Sequence, residues 1–248
     1  MMKRIRLLSI PALVFGIAML FGTVALAASY TLFGNAMLVS PGNASPTAVQ
    51  LSSTCPGGPS QCFANNTFTF SGVDFTVPAG LTVAGLNNLS TDYNFSAGGC
   101  GGGSPRFQVN VTNGTPSGTG NIFMYIGPPP NYSPCTLGIW QNSGNLAAPV
   151  NLVDTSQLPL GTFYDPYSVA QTKYGSYQVT GIQLVADGGW AVPGNNQTLR
   201  ADNVAINNDV TTFESAETCK KGGWEQFTSA PGPFKNQGQC VSYFSKNK

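Results

Sequence analysis

The side chains best suited to hold a sugar fall between Arg106 and Tyr164: Arg106, Asn131, Tyr132, Trp140, Gln141 and Tyr164. The apolar face of a pyranose stacks on an aromatic ring, and amide or guanidinium groups meet its hydroxyls. The stretch 127–145 sets Tyr132 and Trp140 beside Asn131, Gln141 and Asn142, and Tyr125, Tyr167 and Trp190 also fall in or beside loops. Each ring has a second reading, as a half-buried core piece with a wet polar tip. Arg106 has two as well. It directly precedes an alternating apolar stretch, where it either pairs with a carboxylate inside the fold or meets a ligand.

Catalytic chemistry is poorly supplied. The chain has no histidine, which excludes a Ser-His-Asp triad, a Cys-His pair and histidine metal sites. A two-carboxylate glycosidase needs an acid and its partner flanking one bond. Asp74, Asp92, Asp154, Asp165, Asp187, Asp202, Asp209 and Glu214 are available, and no spacing nominates a pair. The expectation is a protein that is not an enzyme; were it a hydrolase or lyase, Asp154 and Asp187 are the residues to substitute first. Asp187 and Asp202 are the candidates for a structural calcium ion, with turn and strand-end duty as their alternative. No other cofactor is expected. Gly98-Gly99-Cys100-Gly101-Gly102-Gly103 lacks the Lys-Ser/Thr ending of a phosphate loop and reads as a turn tied down by Cys100.

The elements that must position these groups are strands. Only 8% of the 248 residues are charged, too few for exposed helix faces, and 42% are hydrophobic, enough for a core. Short apolar or alternating runs at 30–32, 36–39, 48–52, 67–70, 74–77, 89–95, 107–112, 122–126, 178–186 and 198–206 are separated by Gly, Pro and Asn. Alternation in 106–111 puts Phe107, Val109 and Val111 on one face. One helix is expected over 166–174, with Asp165 as N-cap, Pro166 at the first helical position and a stop at Gly175. The fold expected is an all-β sandwich of jelly-roll type, with one short helix.

Three further features frame that sandwich. Residues 1–27 read as a signal peptide: Lys3, Arg4 and Arg6, an apolar run, then Ala25-Leu26-Ala27. This implies a secreted or cell-surface protein with no membrane span once the leader is removed. Cys55, Cys62, Cys100, Cys135, Cys219 and Cys240 then meet an oxidising compartment, where disulfides are the default. Fifteen pairings are open, of which nearest-neighbour pairing is one. Residues 28–214 carry a net charge of −5 and residues 215–248 a net +3, which marks a boundary near Ser215. The first region has no basic footprint for nucleic acid. The second is expected to be a small lobe of turns and short segments, built on Trp224, Phe227, Phe234, Tyr243 and Phe244.

Two stretches resemble known proteins. Residues 178–207, with Gln-Val-Thr-Gly-Ile-Gln-Leu-Val-Ala-Asp-Gly-Gly-Trp followed by Leu-Arg-Ala-Asp-Asn-Val at 199–204, resemble the closing strands of galactose-binding-like jelly rolls found in carbohydrate-binding modules. Cys219-Lys-Lys-Gly-Gly-Trp with Phe234-Lys-Asn-Gln-Gly-Gln-Cys-Val is similar to a C-terminal tail of uncharacterised secreted actinobacterial and Chloroflexi-type proteins. The first resemblance implies a fold, the second a compartment and a Cys219–Cys240 pair. Together with the loop aromatics they lead to the expectation of a secreted, non-catalytic carbohydrate-binding protein whose partner is a polysaccharide or cell-wall glycan. The alternatives are a structural envelope or matrix protein and, further off, a polysaccharide hydrolase or lyase. The sequence assigns no oligomeric state.

Overall fold

A computed structural model describes residues 30–228 and 231–246; the leader expected at 1–27 lies outside the described residues. In chain order the strands are β1 (Tyr30–Gly34), β2 (Met37–Val39), β3 (Ala48–Thr54), β4 (Ser71–Phe75), β5 (Leu89–Ala97), β6 (Arg106–Thr112), β7 (Thr119–Tyr125), β8 (Gln141–Asn142), β9 (Leu152–Val153), β10 (Asp165–Pro166), β11 (Gln178–Ala186), β12 (Asn196–Ile206) and β13 (Asp209–Thr211). Among the described residues three α-helices accompany them: α1 (Pro59–Ala64), α2 (Tyr167–Tyr174) and α3 (Gln237–Lys246).

Two antiparallel sheets face each other. One runs β1-β4-β11-β6-β7; the other runs β2-β3-β12-β5-β8, with β13 on β12. The chain crosses repeatedly from one sheet to the other, while β2-β3, β6-β7 and β12-β13 pair within a sheet. Alternation explains the layering. Val73, Phe75, Phe107, Val109, Val111, Ile122, Met124, Ile182 and Leu184 of the first sheet meet Val49, Leu51, Tyr93, Phe95, Leu199 and Ala201 of the second in one core. Each fully buried aliphatic or aromatic side chain contributes roughly 1.5–3 kcal/mol. The residues between them on the first sheet (Asp74, Arg106, Gln108, Gln183) stay half-exposed on its outer face.

The three disulfides join nearest neighbours: Cys55–Cys62, Cys100–Cys135 and Cys219–Cys240. Other expectations need correcting. The expected single helix is one of three. α1 is folded inside the Cys55–Cys62 loop, and α3 is ten residues of the C-terminal region, which therefore holds more than turns. Residues 67–70 are not a strand; Thr69 meets the end of β3, donating its N–H to Thr54 O at 2.9 Å and accepting from Thr54 N through its hydroxyl at 2.8 Å. Asp165 is not an N-cap: Pro166 occupies that position, and Asp165 pairs with Val153 and accepts from Lys173 Nζ at 2.7 Å. Around α3 a second apolar cluster forms from Cys219, Phe227, Phe234, Cys240 and Phe244, with Trp224 packed against it.

Candidate functional site

The outer face of the five-stranded sheet carries a groove of about 410 Å³, lined by Phe33, Phe68, Phe70, Asp74, Gln108, Gln183, Val185 and Asp187. Strand register explains the gathering. Asp74, Gln183 and Gln108 stand side by side across β4, β11 and β6, and Gly72, Val185 and Arg106 form the next row. Phe33 sits opposite Gly72 on β1. A Cβ at that glycine would run into the Phe33 ring, so only glycine lets the ring lie down across the sheet. Phe70 stands 6.3 Å from Phe33, ring centre to ring centre, and is 49% exposed.

The polar groups form one directed chain. Arg106 Nη2 donates to Gln108 Oε1 at 2.8 Å, Gln108 Nε2 donates to Gln183 Oε1 at 2.9 Å, and Gln183 Nε2 donates to Asp74 Oδ1. Arginine only donates and an ionised carboxylate only accepts, so the two ends fix the orientation of both amides between them. Each amide keeps a second N–H for other work. Both terminal nitrogens of Arg106 are themselves engaged. Nη1 and Nη2 each lie 2.7 Å from one oxygen of Asp187, Nη1 also donates to Gly103 O at 3.0 Å, and the guanidinium lies 5.1 Å from the centre of the Phe123 ring. Such a two-pronged pair is geometrically exacting.

A buried network holds Asp187 in place. Gln197, with no exposed surface, accepts from Ser104 Oγ at 2.6 Å and Gly188 N at 3.0 Å, and donates to Gly99 O and Ser104 O, both at 3.0 Å. Ser104 Oγ accepts from Asp187 N at 2.9 Å. The glycine-rich segment 98–103 is thus structural: it packs on the Asp187-Gly188-Gly189 turn and is tied by Cys100 to Cys135.

The expected sugar contacts are divided by the fold. Arg106 is wired into the groove. Tyr125 lies opposite it in register and joins Tyr132 and Tyr164 in a ring cluster, with centroids 5.5 and 6.2 Å from Tyr125. Tyr132 offers no platform, being 5% exposed with its hydroxyl donating to Leu152 O at 2.9 Å; Tyr164 is 46% exposed. Asn131 is an exposed loop residue next to Tyr132. Trp140 and Gln141 stand apart, since Gln141 belongs to β8 at the edge of the other sheet, opposite Tyr93. Tyr167 is buried, and its hydroxyl donates to Val83 O and Leu86 O at 2.8 and 3.1 Å. The groove's own aromatics, Phe33, Phe68 and Phe70, and its amides Gln108 and Gln183 were not among the expected residues.

Asp154, Asp202 and Asp92 are engaged elsewhere. Asp154 is buried, accepts from Tyr125 Oη at 2.7 Å and from Ser156 N at 2.8 Å, and with burial pushes the Tyr125 phenol well up. Asp202 and Asp92 face each other across β12 and β5 on the second sheet. Asn43 and Asn203 each bridge them, donating a backbone N–H to Asp202 and a side-chain N–H to Asp92 at 2.7–2.8 Å. Ser45 Oγ adds a third donor to Asp202. Burial, and beyond it the charge of Glu214, raises the Asp202 carboxyl to about 7; burial raises Glu214 as well. Of the calcium candidates, Asp187 gives both oxygens to Arg106 and Asp202 accepts three donors. Among the described residues no three acidic, His or Cys side chains gather in a metal-holding arrangement. Also among them, no helix is long and apolar enough to cross a membrane.

No family model and no curated protein matches the chain. Among solved structures it is similar to the xyloglucanase domain of NopAA, a type three effector from Sinorhizobium fredii, in complex with cellobiose. The TM-score is 0.31 at 14% identity, over 76% of this chain and 99% of that one. A likeness that distant carries no weight for ligand or activity.

Proposed function

We propose that the protein binds glycan without transforming it, through the groove on the outer face of the five-stranded sheet. One observation carries this reading: three phenylalanine rings share a groove with a polarised row of amides and carboxylates. The rings suit the apolar faces of sugar units, and the spare N–H groups and oxygens suit their hydroxyls. Arg106 acts as the rigid end of that row, and the half-exposed Tyr164 flanks it one strand further on.

The groove's two carboxylates are both engaged by the protein itself: Asp187 gives its two oxygens to Arg106, and Asp74 accepts from Gln183. The three disulfides fit an oxidising compartment, and we place the protein outside the cell or at its surface.

Retention on insoluble polysaccharides, including the producer's own wall, tests the reading. Wild-type protein is expected to be retained on at least one, and Phe33→Ala/Phe70→Ala and Gln183→Ala proteins to be released from it. Absence of retention on every glycan, or retention unchanged by these substitutions, overturns it.

A further inference from the structure

The groove is asymmetric in charge. Its Arg106 end is neutral, because the guanidinium is matched by Asp187 in a two-pronged pair. Its other end holds Asp74, which forms no ion pair among the described residues. Of the eight residues lining the groove, none is Lys or Arg. The hydrogen bond from Gln183 polarises Asp74 without supplying a neutralising charge. Phe33 lies diagonally across from this carboxylate, two residues along β1 from Asp74's register partner Thr31, with its ring over Gly72, and Phe70 and Phe68 continue the apolar lining on the Asp187 side of the groove.

A carboxylate beside an aromatic face, in a groove lined by further rings, is the chemistry that recognises an organic ammonium. The ring quadrupoles attract the cation, more strongly as water leaves, and the carboxylate supplies the counter-charge. The same surroundings repel uronic-acid and sulfated chains, because the region 28–214 carries a net charge of −5. Resting on the glycan reading above, we propose that the Asp74 end of the groove selects sugar units bearing a free amino group, so that the preferred ligand is a de-N-acetylated amino-sugar chain. Phe33, Phe68 and Phe70 bind the ammonium-bearing ring, Asp74 pairs with the ammonium, and Gln183 and Gln108 meet hydroxyls of the following units.

Calorimetric titration of the whole protein with chito-oligosaccharides of one length, fully deacetylated or fully N-acetylated, tests this. Oligogalacturonate and tetramethylammonium serve as further probes. The deacetylated chain is expected to bind roughly tenfold or more tightly than the acetylated one. In Asp74→Asn, which keeps the shape and the acceptor for Gln183, that preference is expected to vanish. Tetramethylammonium is expected to compete with the deacetylated chain. Equal binding of the two chains, tighter binding of oligogalacturonate, or a preference that survives Asp74→Asn overturns the inference and leaves the glycan reading standing. Tetramethylammonium bound without any sugar chain, or no probe bound at all, overturns the inference, and the glycan reading falls with it only if the protein is also retained on no polysaccharide.

Discussion

Arg106 and Asp187 meet fork to fork, both guanidinium nitrogens 2.7 Å from the two carboxylate oxygens, at the junction of the groove and the glycine-rich segment. Their side chains are 14% and 26% exposed, so water screens the pair only in part. Arg106→Lys loses the fork and the bond to Gln108 together, since lysine offers a point charge. The expected cost is about 2 kcal/mol, from hydrogen bonds to charged groups. Urea titration of both proteins measures it, and an unchanged midpoint would show the fork to be dispensable.

Gln197 uses its whole amide to hold Ser104, Gly99 and Gly188. Gln197→Ala leaves buried donors and acceptors without partners, at about 1–3 kcal/mol for each group that water cannot reach. The variant is expected to lose stability and to loosen the Asp187 turn. Faster amide exchange at Gly188 and Gly189 would report the loosening; wild-type exchange there would contradict the positioning role.

The buried Asp202 makes stability depend on pH in an unusual direction. Its carboxyl is raised to about 7, above the roughly 3.9 of an unfolded chain, so the folded protein holds the proton more tightly. That contribution is complete below about pH 4 and is lost as pH rises through 7. Glu214, also raised, adds in the same sense. Thermal midpoints are therefore expected to fall between pH 5 and pH 8. In Asp202→Asn the slope should flatten. A wild-type midpoint that rises over this interval would refute the assignment.

Cys219–Cys240 closes a loop of 21 positions around the second apolar cluster. Loop entropy assigns the bond about 3 kcal/mol, and 30 described residues can bury little on their own. Cys219→Ser/Cys240→Ser is expected to unfold residues 215–246 while the sandwich stays folded, which would make this region a separate lobe. Proteolysis followed by mass spectrometry distinguishes that from global loss of structure.

Much of the sandwich is legible in the sequence because burial imposes alternation. Gln178–Ala186 is read to the residue, and Phe107, Val109 and Val111 fall on the core face as their spacing requires. The groove is not legible, for the complementary reason. Arg106, Gln108, Asp74 and Gln183 sit at the polar positions of those same strands, and nothing local says which strands are neighbours. Phe33, Phe68 and Phe70 come from an edge strand and a segment without regular structure, so they carry no shared period. α3 did leave a signal: Cys240, Val241 and Phe244 have helical spacing, obscured by Gly238 and by the flanking glycines and prolines.

The claim that a glycan occupies the groove is tested most directly by nuclear magnetic resonance. Isotope-labelled protein is titrated with soluble oligosaccharides, and the side-chain amide signals of Gln108 and Gln183 are followed. Saturable shifts of those two amides, with the backbone of Gly72 and Val185, are the predicted result. Saturable shifts confined to Tyr164, to Trp140 and Gln141, or to residues 215–246 would contradict it.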